Sequence, residues 1–176
     1  MTNPGTLPWQ PVAVELVAAP VAAALAVWPR AGEVLVAPID PDLADTADFC
    51  ARYSVALEDS ANCVVIAGRR GDDIRYAACV VLATTRADVN GVVRRRLDAR
   101  KASFAPMADA VERSGMEHGG ITPIGLPASW PVLVDRAVLD RSVVVIGSGL
   151  RRSKLALPSS ALAELPGVEI IDGLAS

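Results

Sequence analysis

"NCVVIAGRRGDDIRYAACVVLAT", residues 62–84, reads as two strands joined by a tight turn. β-Branched residues recur in both arms, and Gly71-Asp72 supplies the backbone freedom a short hairpin connection requires. The arms are expected to pair antiparallel. Working outward, "EVLVAPI" (33–39) reads as a strand and "DPDLADTADFCARYS" (40–54) as a capped helix with Leu43, Ala47, Phe49, Cys50 and Tyr53 as its inward stripe. On the other side, "RADVNGVVRRRLDA" (86–99) begins with Asp88 as N-cap and spaces Val89, Val92, Val93 and Leu97 for one buried face. "PMADAVERSG" (106–115) is a second helix, opened near Pro106 and closed at Gly115. "PVLVDRAVL" (131–139) and "SVVVIGSG" (142–149) follow as strands, "SSALAEL" (159–165) as a short helix and "VEIIDG" (168–173) as a last strand. Strands in neighbouring pairs with helices between the pairs predict an α+β domain with a mixed, largely antiparallel sheet.

The bulk properties narrow the function. A chain of 176 residues with 52% apolar content has the length of one domain and can bury one good core, so residues 1–176 are expected to form a single unit. Net charge −3 excludes a protein that coats nucleic acid through bulk positive charge and leaves room for a local basic patch. Three cysteines, Cys50, Cys63 and Cys79, form no CxxC pair, and His118 is the one histidine available to join them. Neither a disulfide framework nor a metal site is expected, no cofactor is called for, and a reducing cytoplasm fits. The apolar stretch "PVAVELVAAPVAAALAVWP" (11–29) has no preceding Lys or Arg, and Glu15 and Pro20 interrupt it. It is also shorter than the ~20 residues a membrane span needs, so it reads as a buried helix broken at Pro20.

No GxSxG elbow, HExxH, P-loop or GxGxxG after a strand occurs. "GSGLRR" (147–152) reads as a strand-end turn, and His118 beside two glycines as a solvated loop residue. With side-chain catalysis thinly supplied, "EHGGITPIGLP" (117–127) draws the eye. Gly119, Gly120 and Gly125 open conformations closed to other residues, while Pro123 and Pro127 stiffen the chain. Such a segment can hold peptide groups facing a ligand, where they bind a carbonyl, orient a water and stabilise an oxyanion. It can equally serve only to turn the chain between helix and strand.

"MADAVERSGMEHGGITPIGLPASWPVLVDRAV" followed by "VVVIGSGLRRSKLAL" resembles the YbaK/EbsC, prolyl-tRNA synthetase-associated family of aminoacyl-tRNA editing domains. The likeness runs from about Ala44 to Leu174, leaving residues 1–43 as an N-terminal extension, and its most specific part is the GxxxP loop, Gly119 to Pro123, followed by Gly125. It implies a curved, barrel-like sheet flanked by helices. It also implies a trans-editing deacylase, with no metal, that hydrolyses the ester of a small amino acid mischarged on tRNA. The loop would then surround the ester with Gly119, Gly120, Ile121, Thr122 and Pro123, a water serving as nucleophile. Ile124, Gly125, Asp135, Gly147, Ser148 and Gly149 would complete the substrate pocket.

Two departures stand out. The family carries a lysine at the start of the strand before the hairpin, where this chain has Asn62, and the family's Ser-Pro-Phe is here Thr122-Pro123-Ile124. Asn62 is assigned to orienting the substrate or the water; an amide donates a hydrogen bond but carries no charge for a phosphate. Arg94, Arg95, Arg96, Lys101, Arg151 and Arg152 are the candidates for holding the tRNA acceptor end, with Arg100 in the same run as the first four, Arg69 and Arg70 at a turn and Lys154 beside Arg151 and Arg152 after the GSG strand end; their alternative is solvated surface. Two other readings stay open: a catalytically degenerate binding module for an aminoacyl group, a tRNA end or a protein, and a domain docking on a synthetase. Self-association through the apolar N-terminal segment is a further option, and no membrane partner is expected.

Overall fold

The structure, a computed structural model, describes residues 3–176. Among these residues nine strands are arranged in two sheets. The strands are β1 (Gln10–Pro11), β2 (Leu35–Pro38), β3 (Ala61–Arg70), β4 (Asp73–Leu82), β5 (Lys101–Phe104), β6 (Val132–Asp135), β7 (Val143–Gly147), β8 (Ser153–Pro158) and β9 (Val168–Ile171). The helices are α1 (Ala19–Val27), α2 (Thr46–Tyr53), α3 (Arg94–Arg96), α4 (Met107–Ser114), α5 (Arg136–Leu139) and α6 (Ser159–Leu162). One sheet is antiparallel in the order β1-β2-β8-β7, and the other runs β5-β3-β4-β6-β9, with β6 parallel to both β4 and β9. Among the described residues a single bridge, Ser60 to Val145, links them, so the sheets are not closed into a barrel.

The main core lies between the sheets. Val36, Val144, Ile146, Leu155 and Leu157 meet Val80, Leu82, Val132 and Val134 there, and α1 adds Val21 and Leu25. The alternate residues Ala37, Val145 and Ala156 face the other way, under Phe49 and Cys50 of α2. Cys79, Val81 and Leu133 likewise face outward, under Val93, Leu97 and Leu174. Strands covered on both faces read as unbroken apolar runs, which is why the hairpin arms show so little polar alternation. Among the described residues no helix is long and apolar enough to cross a membrane.

The β3–β4 hairpin pairs antiparallel as expected, with Arg70 opposite Asp73 across Gly71-Asp72. Asp88 caps its turn by accepting from Gly91 and Val92 at 2.9 and 3.0 Å. Several elements differ from the reading. Pro20 sits in the first turn of α1, where a missing N–H costs nothing, so it starts the helix instead of breaking it. Of the stripe assigned to α2, Phe49 and Cys50 are buried, whereas Ala47 is exposed. "PVLVDRAVL" divides into β6 and α5, because Asp135 Oδ1 accepts the Ala137 N–H at 2.9 Å and caps a helical turn. Three strands, β1, β5 and β8, are absent from the reading. β1 has only two residues, and Lys and Ser interrupt the apolar pattern of β5 and β8.

Candidate active site

Gly115 at φ 68 closes α4 and turns the chain back toward the β7–β8 connection. There the following loop is pinned by backbone bonds: Glu117 N donates to Gly149 O at 2.8 Å and Gly149 N donates to Gly120 O at 2.7 Å. The approach is so close that a Cβ on Gly147 would lie 2.4 Å from Gly120 O, and one on Gly120 would lie 2.7 Å from the Leu150 carbonyl. Arg151 braces the same loop, donating to His118 O at 3.2 Å and to Pro41 O at 3.1 Å. Within the loop Gly120 N donates to Glu117 O at 3.0 Å, while the N–H groups of Gly119 and Ile121 have no hydrogen-bond partner among the described residues.

Gly119 and Ile121 line a cavity of about 590 Å³ whose other walls are α2, the start of β3 and the ends of β7 and β8. Asn62 also lines it, held by the Thr46 hydroxyl, which donates to Asn62 Oδ1 at 2.7 Å. That bond commits the carbonyl end of the amide and leaves its NH₂ group to donate. Cys63 lies in the wall as well, but burial pushes its thiol far above the ordinary range and that of Cys79 to about 12. Neither offers a thiolate. His118 stands exposed at the lip.

A lysine occupies the cavity after all. Lys154, on β8 and directly opposite Gly147 of β7, is only 8% exposed. Its Nζ donates to Ala44 O at 3.0 Å and lies 5.1 Å from the centre of the Phe49 ring. Burial lowers its pKa from 10.5 to about 8; Cys50 and Asp45 act upward against it, and Arg151 downward with it. It forms no salt bridge among the described residues. Sequence reasoning grouped Lys154 with the arginines of the neighbouring turn. No local signal singles it out: in "SKLALP" Lys154 falls on the strand face opposite Leu155 and Leu157, the pattern of a solvated position.

The remaining candidates are dispersed. Gly147 lines the cavity, but Thr122, Pro123, Ile124 and Gly125 do not; Thr122 is fully buried with its hydroxyl unpartnered, and the next three border a separate apolar cleft beside Trp28. Asp135 is buried away from the cavity, where Oδ2 accepts the Ala175 N–H at 2.8 Å. Ser148 is wholly buried and bonded to Ser153 Oγ at 2.7 Å, and Gly149 is buried beside it. Among the basic residues, Arg96 is paired with Glu169, and Arg152 donates to Glu15 O at 2.6 Å. Arg94 and Lys101 line a groove with Arg69, Arg100 and Asn90, and Arg95 is exposed nearby. Between that groove and the cavity stands Phe104 at the end of β5, 64% exposed and part of the cavity lip.

The family description "aminoacyl-tRNA editing domain" matches residues 40–165. This chain belongs to the aminoacyl-tRNA editing domain family. The editing domain has no match among curated proteins. Among solved structures it resembles a candidate trans-editing enzyme for prolyl tRNA synthetase at 20% identity and TM-score 0.74, over 87% of this chain and 93% of that one. A scaffold used for computational epitope grafting gives 19% identity and TM-score 0.74 over 88% and 95%. A hypothetical protein gives 21% identity and TM-score 0.68 over 81% and 90%. These likenesses establish the fold.

Proposed function

We propose that this editing domain hydrolyses the ester joining a small amino acid to the terminal ribose of a mischarged tRNA in the cytoplasm. The observation that carries the reading is one cavity lined by Gly119 and Ile121, whose N–H groups are unpaired among the described residues, and by Asn62, whose amide oxygen is held by Thr46. Water adds to the acyl carbon, the carbonyl electrons move onto oxygen, and collapse of the adduct expels the ribose oxygen, which takes up the proton the water gives up. Neutral donors fixed before reaction need no rearrangement as charge develops, and losing one costs on the order of a hundredfold in rate. Gly120 and Gly147 serve by letting the loop sit flush against the hairpin; Thr122 and Pro123 hold its far end.

The acceptor end approaches along β5. Phe104 offers a stacking face for the terminal base, and Arg69, Arg94, Arg100 and Lys101 line the groove beyond it. The test is a deacylation screen of the protein against a panel of mischarged tRNAs with Gly147→Ala as control. Turnover of at least one tRNA, lost in the control, is expected, and no turnover of any would overturn the reading. Cys63→Ser is expected to keep turnover within a few-fold. Because Asn62 brings no charge to its place on β3, a binding module without turnover is the second reading; it predicts that aminoacyl-tRNA is retained on the protein and not hydrolysed.

A further inference from the structure

Two charges of opposite sign line the cavity and do not neutralise each other. Asp45 is the one carboxylate among the lining residues, and Lys154 the one ammonium. Asp45 occupies the N-cap position of α2, yet its side chain makes no capping bond, and it remains exposed. Lys154 feels its charge without forming a salt bridge to it. The lysine makes one hydrogen bond to protein, to Ala44 O, although an ammonium carries three donors. A buried cation without an acidic partner is costly to hold, and a ligand that brings an anionic oxygen relieves that cost. An exposed carboxylate at the same cavity is suited to a cationic group. An α-aminoacyl ester has this pairing of charges as it reacts: an ammonium on the α-carbon and, on the adjacent carbon, a carbonyl oxygen that turns into an oxyanion.

Resting on the editing reading, we propose that Asp45 and Lys154 are the two poles that recognise the α-aminoacyl group, Asp45 taking the α-ammonium and Lys154 Nζ donating to the carbonyl oxygen as water adds. Lys154 joins the neutral donors of the loop and Asn62, and it supplies from β8 the positive charge that Asn62 leaves missing on β3. No bond to the lysine forms. Its N–H stays with nitrogen throughout, and the water's proton ends on the leaving ribose oxygen. The groups facing the ammonium are Cys50 and Asp45 from the α2 side and Arg151 from the β7–β8 turn.

Steady-state hydrolysis of an aminoacyl-tRNA and of the α-hydroxyacyl ester of the same tRNA tests both poles. Lys154→Met, whose stem fills the same apolar channel, is expected to lower kcat about a hundredfold on both esters with little change in KM. Asp45→Asn is expected to cost about fivefold on the aminoacyl ester and nothing on the hydroxyacyl one. After background subtraction, wild-type kcat falls as pH rises through about 8, where the ammonium is lost, and Lys154→Met lacks that limb. Lys154→Gln, polar and uncharged, serves if the methionine variant melts early. Unchanged kcat in either lysine variant overturns the assignment, as does an Asp45→Asn variant that loses both esters equally. A binding measurement separates this inference from the editing reading: a phosphonate analogue of aminoacyl-adenosine, with anionic oxygens, is titrated against its neutral amide counterpart. Preference for the phosphonate in the wild type that vanishes in the lysine variants supports the cationic pole even if no tRNA is turned over; equal preference in both overturns it while leaving hydrolysis intact.

Discussion

Two hairpins of this protein end in opposite surroundings. The β3–β4 turn projects into solvent: a Cβ on Gly71 would meet nothing within 4 Å, and beside it Arg70 pairs with Asp98 at the surface. The β7–β8 turn ends inside the molecule. Ala18 N donates to Ser148 O at 3.1 Å, Ile39 N to Arg152 O at 2.9 Å, and the glycine loop lies against Gly147 and Leu150. Three distant segments thus converge on the second turn, and the cavity opens beside it. A turn decided by its own few residues only reverses the chain, whereas one decided by its neighbours can build a site.

Single substitutions can break this contrast. Gly147→Ala is expected to have the largest effect, because its new methyl group would lie 2.4 Å from Gly120 O and must push the loop away. A loss of more than ~3 kcal/mol in denaturant unfolding, together with loss of turnover, is expected. Lys154→Met sharpens it through pH. A lysine whose folded pKa of about 8 lies below its ordinary 10.5 binds fewer protons folded than unfolded between those values, so wild-type stability rises with pH across that interval. The rise, on the order of 2–3 kcal/mol, should be missing from the variant's melting curves. Ser148→Ala deprives the Leu150 N–H and the Ser153 hydroxyl of a buried partner and is expected to cost ~1–3 kcal/mol. At the solvent-exposed hairpin Gly71→Ala costs ~1 kcal/mol, from a side chain at φ 61 alone, and leaves turnover untouched. Arg70→Ala, removing one exposed ion pair, costs less than ~1 kcal/mol. Equal losses from Gly147→Ala and Gly71→Ala would show that the interior turn holds no more of the structure than the exposed one.

The same contrast explains what could be read beforehand. The β3–β4 hairpin, the Asp88 cap and the α4 stop at Gly115 each follow from residues adjacent in the chain, so each was legible. Asp135 was legible as a residue with a task, but its role as a cap depends on the Ala137 and Ala175 N–H groups reaching it. The glycine loop was recognisable as a segment of constrained backbone. Which of its residues line the cavity depends on how the loop lies against β7, and that divides Gly119 and Ile121 from Pro123, Ile124 and Gly125. Lys154 was visible as a basic residue and misplaced among solvated ones, since nothing within "RRSKLALP" tells that α2 will cover it.

From its sequence alone this chain determined an α+β class, a central antiparallel hairpin, a stiffened glycine loop and the resemblance to editing domains, because periodicity, caps and turns act over a few residues. Only the tertiary structure decided that the sheets remain open, that Asn62 is held by Thr46, and that a lysine from β8 is buried against Phe49 beside the loop. Burial and electrostatic environment are sums over residues far apart in the chain, and they take values only once the strands and helices are packed.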